Sequence, residues 1–298
     1  MGTAKTATDP VGRPALLDYW ALTKPGVTAL ILTTGFMTLV VAADGLPPLP
    51  LLIATILGTA LASGSANAFN MYFDRDIDAI MNRTKSRPLP AGRLEPVNAF
   101  VFACALGIAS FAVLATWVNL PSAVLAVSGI VYYVFVYTLG LKRRTPQNIV
   151  IGGAAGSVPP LISWAAVTGT VEWPAILLFL IIFLWTPPHF WALALLKNED
   201  YIRAGVPMLP VVRGEEETRR QIFLYTLVLL PVSAGMYLTG VSGWLFLVLG
   251  GALGIWFCWK AWVLLRTRTA QAAREVFKFS NYYLGAIFFA AVLDRLLL

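Results

Sequence analysis

The chain has 298 residues, 58% of them apolar and only 12% charged, with 22 Lys/Arg against 15 Asp/Glu for a formal net charge of +7. So apolar a composition excludes an ordinary water-soluble domain and points to a polytopic helical membrane protein, whose runs of about 20 apolar residues cross the hydrocarbon core. Nucleic-acid binding is excluded despite the positive balance, because the basic residues sit in short connections between apolar runs, where they set topology.

Residues 1–20, with Asp9 and two prolines ahead of Trp20, read as a short disordered N-terminal tail. They lack the basic start and short apolar core of a cleaved signal. Residues 21–298 read as one transmembrane domain of nine spans: 25–43, 49–70, 97–117, 122–141, 148–168, 173–196, 221–241, 243–264 and 279–298. The connections after spans two, four, six and eight (71–96, 142–147, 197–220 and 265–278) carry five, three, five and four Lys/Arg, and those after spans one, three, five and seven carry none. The positive-inside rule therefore places the N-terminus and the charged loops in the cytoplasm and the C-terminus on the opposite side. Cys104 and Cys258 both fall inside apolar runs without metal-ligand spacing, and read as small core residues.

Lys24, in ALTKPGV, begins span one; such a residue has an ordinary role as a topology marker or a snorkelling side chain. Span two runs into NAFNMYFDRDIDAIMNRTKSRPLPAGR, residues 67–93. In that stretch Asn70, Asp74 and Asp78 are spaced four apart. Four helical residues turn about 400°, so each step drifts only about 40° and the three share one face over about 12 Å. Two carboxylates one turn apart repel, and make sense at the mouth of a membrane helix if a cation neutralises them. Mg²⁺ takes oxygen ligands, typically one or two carboxylates together with substrate phosphates. Just downstream, Arg83, Lys85 and Arg87 offer charge-assisted donors for the same phosphates. The plainer reading is a solvated helix end whose charges cancel. Asp76, about 200° from Asp74, is expected to be solvated in this way.

Lys142, Arg143 and Arg144 close span four. Span five carries the small-residue run GGAAGS and then Pro159-Pro160, and span six carries Pro187-Pro188, so both read as broken helices. Span six ends in TPPHFWALALLKNEDYIRAGVPMLP, with His189, the only histidine, eleven residues before Asp200 and about 20° out of phase with it. Lys197 lies about 60° from Asp200. A polar residue deep in an apolar span is a functional hypothesis by default, the ordinary alternative being a histidine hydrogen-bonded to a neighbouring helix. The two long basic loops, each following an acidic helix end four helices apart, hint at a doubled four-helix unit. Basic clusters and an acidic face at one membrane surface, above an apolar interior, suit a diphosphate head on an isoprenoid tail: cations stabilise the departing diphosphate and the apolar cavity shelters a carbocation.

At these residues the chain resembles the UbiA-type intramembrane prenyltransferase superfamily, and within it the protoheme IX farnesyltransferase (heme O synthase) branch. The likeness covers nearly the whole chain. It rests on LTKPG, the 67–93 stretch, YTLGLKRRTPQNIVIGGAAGSVPPLI, WTPPHFWALAL and KNEDYIRAGVPMLPVV, in that order. The resemblance implies an all-α integral membrane fold of nine transmembrane helices around a central cavity, and Mg²⁺-dependent transfer of farnesyl from farnesyl diphosphate to a vinyl group of heme B. Water addition then leaves heme O. Carried over by position, Asn70, Asp74 and Asp78 hold Mg²⁺-diphosphate, and Lys24, Arg83, Lys85, Arg87 and Lys142 contact the phosphates. His189 becomes a candidate for the heme side. The superfamily's second motif is usually DxxxD, yet the residue four before Asp200 is Leu196. Asp200 is therefore expected to act without a matching carboxylate, with Lys197 contacting diphosphate or a heme propionate. The resemblance further implies a bacterial plasma membrane (or, alternatively, a mitochondrial inner membrane) and handover of the product to a heme A synthase. Rival readings are a polyprenyltransferase acting on a phenolic quinone precursor and a non-catalytic heme-binding membrane transporter.

Overall fold

In the computed structural model, residues 15–297 are described, and all the regular secondary structure among them is helical. The helices are α1 (Ala15–Leu22), α2 (Pro25–Ala42), α3 (Leu49–Phe73), α4 (Arg75–Ile80), α5 (Pro96–Trp117), α6 (Leu120–Leu141), α7 (Asn148–Gly156), α8 (Val158–Thr168), α9 (Trp173–Leu196), α10 (Asn198–Arg203), α11 (Leu209–Leu238), α12 (Trp244–Thr267) and α13 (Ala270–Leu297). With α7 and α8 taken as one interrupted span, nine are long and apolar enough to cross a membrane among the described residues, and this is a multi-pass membrane protein. Residues 1–14 lie outside the described part, whereas 15–20, expected as tail, belong to α1. Asp18 explains the order there: it is buried and paired at 2.8 Å with Arg93, at the foot of α5.

The packing forms a ring. One quartet is α3, α5, α6 and α8, the other α9, α11, α12 and α13, and each closes on itself; α2 touches α3, α8 and α13 and seals the circle. The largest buried cluster, including Trp191, Phe246, Phe257, Tyr283 and Phe288, fills the second quartet. Close approach in the first depends on glycine, since a Cβ on Gly58 would stand 2.5 Å from Leu114. At the end away from the basic loops, Trp117, Trp173 and Trp244 are all exposed, as an interfacial aromatic belt requires.

Three expectations change. Span six is not broken: α9 continues through Pro187 and Pro188, although these leave the Phe183 and Leu184 carbonyls without their helical N–H partners. Span five does break, at Ser157 between α7 and α8. Span seven begins at Leu209 and turns at Gly214 (φ 81°, ψ 165°), and span nine begins at Ala270. Apolar length could not reveal these polar extensions, which are held by pairs such as Lys260–Glu275 at 2.6 Å.

Candidate active site

The C-terminal half of α6, Tyr132–Leu141, is wound wider than an α-helix, with hydrogen bonds reaching five residues back, as from Lys142 N to Tyr137 O at 2.8 Å. Wide turns of this kind recur at functional sites because they re-aim side chains. Here the widened segment carries Thr138 and leads into Lys142 and Arg143, all three of which meet residues on or just beyond α3.

Asp74 is the joint between α3 and α4, and the backbone bonds Asp74 N→Asn70 O (2.9 Å) and Asp78 N→Asp74 O (2.8 Å) carry the helical phase across it. Asn70, Asp74 and Asp78 consequently share one side, and all three are buried. Each of them accepts a hydrogen bond from one basic side chain: Lys24 Nζ donates to Asn70 Oδ1 at 2.7 Å, Lys142 Nζ to Asp74 Oδ2 at 2.5 Å and Arg87 Nη1 to Asp78 Oδ2 at 2.6 Å. Asn70 Nδ2 in turn donates to Asp74 Oδ2 at 2.6 Å and to Thr138 Oγ1 at 3.1 Å.

Lys24 reaches the cluster from the α1–α2 corner, where its backbone is left-handed (φ 48°) ahead of Pro25. That is a costly conformation for a non-glycine residue, of the kind that concentrates at functional sites. Burial, with Arg87 and Lys142 adding to it, brings its ammonium down to about 7, with Asp78 and Asp74 opposing.

Arg83 and Lys85 are exposed beside this group. Asp76 is also exposed, as expected, yet it is not simply solvated: Arg143 grips both its oxygens at 2.6 Å, and this hydrogen bonding holds its carboxyl below the usual range. The second basic loop folds onto the first through an apolar cluster of Ile77 and Met81 with Tyr201, Val206 and Met208. Burial raises the Tyr201 phenol, with Arg83 working in the opposite direction. Asp200 is buried one residue away and paired with Arg203, while Lys197 is exposed at the end of α9. Among the described residues, Asp200 does not join Asp74 and Asp78 in a group of three carboxylates.

His189 sits in a separate, aromatic setting. Its ring stacks on Trp185 (centroids 4.4 Å) and Phe277 (4.8 Å), and Nδ1 lies 2.7 Å from Ser280 Oγ. Ser280 Oγ also lies 2.7 Å from Phe277 O, so a hydroxyl proton given to that carbonyl would pair with the His189 tautomer protonated at Nδ1.

The residues fit a divalent cation. Among the described residues no three His, Cys, Asp or Glu side chains stand together. A metal here would draw on Asp74, Asp78 and the Asn70 amide, with phosphate oxygens completing the shell as is usual for Mg²⁺. Asp74 Oδ1, buried and without a hydrogen-bond partner, is the oxygen most evidently awaiting one.

The UbiA prenyltransferase family profile matches residues 30–285. This chain belongs to the UbiA prenyltransferase family. Protoheme IX farnesyltransferases of Gloeobacter violaceus and Symbiobacterium thermophilum are 54% and 55% identical to it, over 95% and 93% of this chain and 93% of each relative. Among solved structures, one of a digeranylgeranylglyceryl phosphate synthase matches with a TM-score of 0.79 at 20% identity, over 95% of this chain and 99% of that one. A UbiA homolog from Archaeoglobus fulgidus bound to GPP and Mg²⁺ matches with 0.65 at 17%, over 93% and 99%. These two likenesses concern the fold.

Sequence reasoning missed three parts of this UbiA-family site. Thr138 and Tyr201 carry no local signal, because only the widened turn of α6 and the packing of the second loop bring them in. Arg143 was visible as part of a basic run, but not as the partner of Asp76.

Proposed function

We propose that this protein transfers the farnesyl group of farnesyl diphosphate to a vinyl group of heme B, with addition of water, giving heme O and diphosphate. The observation that carries this reading is the identity of 54–55%, over 93–95% of the chain, to relatives that bear the name protoheme IX farnesyltransferase. The farnesyl C1–O bond breaks and its electron pair leaves with diphosphate. C1 bonds to the vinyl group, and water supplies the hydroxyl and releases a proton.

In this reading Asn70, Asp74 and Asp78 hold Mg²⁺-diphosphate, and Mg²⁺ bound there neutralises the charge that develops on the leaving group. Lys142 and Arg87 move from Asp74 and Asp78 onto phosphate oxygens, and Lys24, Arg83 and Lys85 add donors around them. Asp200 orders the second loop through Arg203, and Lys197 contacts diphosphate or a heme propionate. His189 faces the heme, its ring held by Trp185, Phe277 and Ser280. The apolar bundle keeps water from the allylic carbon until the carbon–carbon bond has formed.

The protein works in a bacterial plasma membrane with its N-terminus and basic loops in the cytoplasm, and hands heme O to a heme A synthase. Purified protein incubated with heme B, farnesyl diphosphate and Mg²⁺ should yield a product with the mass of heme O. Prenylation of a phenolic quinone precursor instead, or no product, would refute the assignment.

A further inference from the structure

The two oxygens of Asp74 have different surroundings. Oδ2 takes Lys142 Nζ at 2.5 Å and Asn70 Nδ2 at 2.6 Å, whereas Oδ1 is buried with no hydrogen-bond partner. Leaving a buried charged oxygen without a donor is costly, so something must prevent the obvious remedy. That remedy is close by. Among the described residues, the cation standing against Oδ1 is Arg143, whose Nη2 lies 3.8 Å away, beyond hydrogen-bond reach.

Asp76 holds that guanidinium back. Arg143 Nη1 donates to Asp76 Oδ2 and Nη2 to Asp76 Oδ1, both at 2.6 Å, and Nη2 also donates to Phe73 O at 3.0 Å. A bidentate arginine–carboxylate pair is the strongest geometry these groups adopt. The pair stands at the rim, with side chains 39% and 60% exposed, while Asp74 is fully buried. It borders a recess of about 330 Å³ formed by Phe73, Arg75, Asp76, Leu139 and Arg143, which leaves the arginine room to move. Arg75 does not compete for Asp76, because it donates to Tyr72 O and lies over the Tyr72 ring.

We propose that Asp76 is a positioning residue: its grip on Arg143 keeps the guanidinium from closing on Asp74 Oδ1 and so reserves that oxygen for the divalent cation that accompanies diphosphate. In the proposed reaction Lys142 leaves Asp74 Oδ2 for phosphate, whereas a guanidinium closed on Oδ1 would occupy the remaining oxygen and oppose the charge of an incoming metal. The inference rests on Asp74 being a metal ligand, as proposed above.

The test uses the full chain purified in detergent, with Mn²⁺ as the probe in the presence of inorganic diphosphate and free Mn²⁺ read by electron paramagnetic resonance. Asp76→Ala should raise the half-saturating Mn²⁺ concentration by about tenfold, the lower end of what a contact cation does to proton binding by a carboxylate. Adding Arg143→Gln should restore the original value, which a merely structural role for Asp76 would not predict. Unchanged binding in Asp76→Ala, or weakened binding that Arg143→Gln fails to restore, would overturn the inference. Asp74→Asn separates the two levels of the argument. If it binds Mn²⁺ as tightly as the unsubstituted protein, the metal assignment itself fails; if it loses binding while Asp76→Ala does not, only the role of Asp76 does.

Discussion

Lys142 and Asp74 lie 68 residues apart in the chain, yet the ammonium nitrogen stands 2.5 Å from the carboxylate oxygen. Asp74 is fully buried and Lys142 partly so, at 16% exposed, and their charges are coupled more strongly than those of a surface pair. The pair holds a carboxylate inside an apolar bundle, placed to exchange its lysine for a metal. Asp→Asn preserves size and removes the charge. Asp74→Asn and Asp78→Asn are each expected to lose at least about two orders of magnitude in activity, roughly 3 kcal/mol of transition-state stabilisation. The measurement is heme O formation at saturating Mg²⁺, normalised to folded protein. Near-normal turnover in Asp74→Asn would remove the metal-diphosphate assignment.

His189 makes no contact with the charged cluster; its partners are Trp185, Phe277, Phe190 and Ser280. His189→Ala should therefore weaken the apparent affinity for heme B more than that for farnesyl diphosphate, measured separately in purified protein. An effect confined to farnesyl diphosphate would contradict this placement.

Membrane orientation is open to a direct test. Ser86 lies in the basic loop after α4 and Thr170 in the connection between α8 and α9, which carries no Lys or Arg. A cysteine at position 86 should react with an impermeant reagent from the cytoplasmic side only, and one at position 170 from the opposite side only. Labelling of both from one side would overturn the nine-span topology.

Packing behind the widened turn of α6 gives a fourth prediction. A Cβ on Gly152 would fall 2.1 Å from the Tyr137 ring, whereas one on Gly156, a turn later on α7, meets nothing within 4 Å. Gly152→Ala should cost about 2 kcal/mol of stability through overpacking. It should also lower activity by shifting the segment that presents Thr138 and Lys142. Gly156→Ala should be neutral or slightly stabilising, since alanine is the better helix former. Thermal unfolding in detergent and heme O formation compare the two, and identical behaviour would refute the packing argument.

The amino-acid sequence alone determined the nine spans, their charged ends and the acidic face, because these depend on local quantities: apolar length, Lys/Arg asymmetry and helical phase. Asn70, Asp74 and Asp78 are buried on one side, as their spacing of four requires, since backbone hydrogen bonds carry the helix through the joint at Asp74. The tertiary structure decided the rest. Which cation meets which acid depends on α1, α6 and the 81–95 loop converging on the end of α3, and no spacing encodes that convergence. Asp76 shows the limit most plainly. Helical phase put it correctly on the outer side, but its partner is Arg143, 67 residues away, delivered by a turn of α6 that is wider than any periodicity announces. The continuity of α9 through two prolines was hidden for a related reason: Trp185, Thr186, Pro187 and Pro188 are all buried, and the packing that holds them belongs to the folded bundle rather than to the local chain.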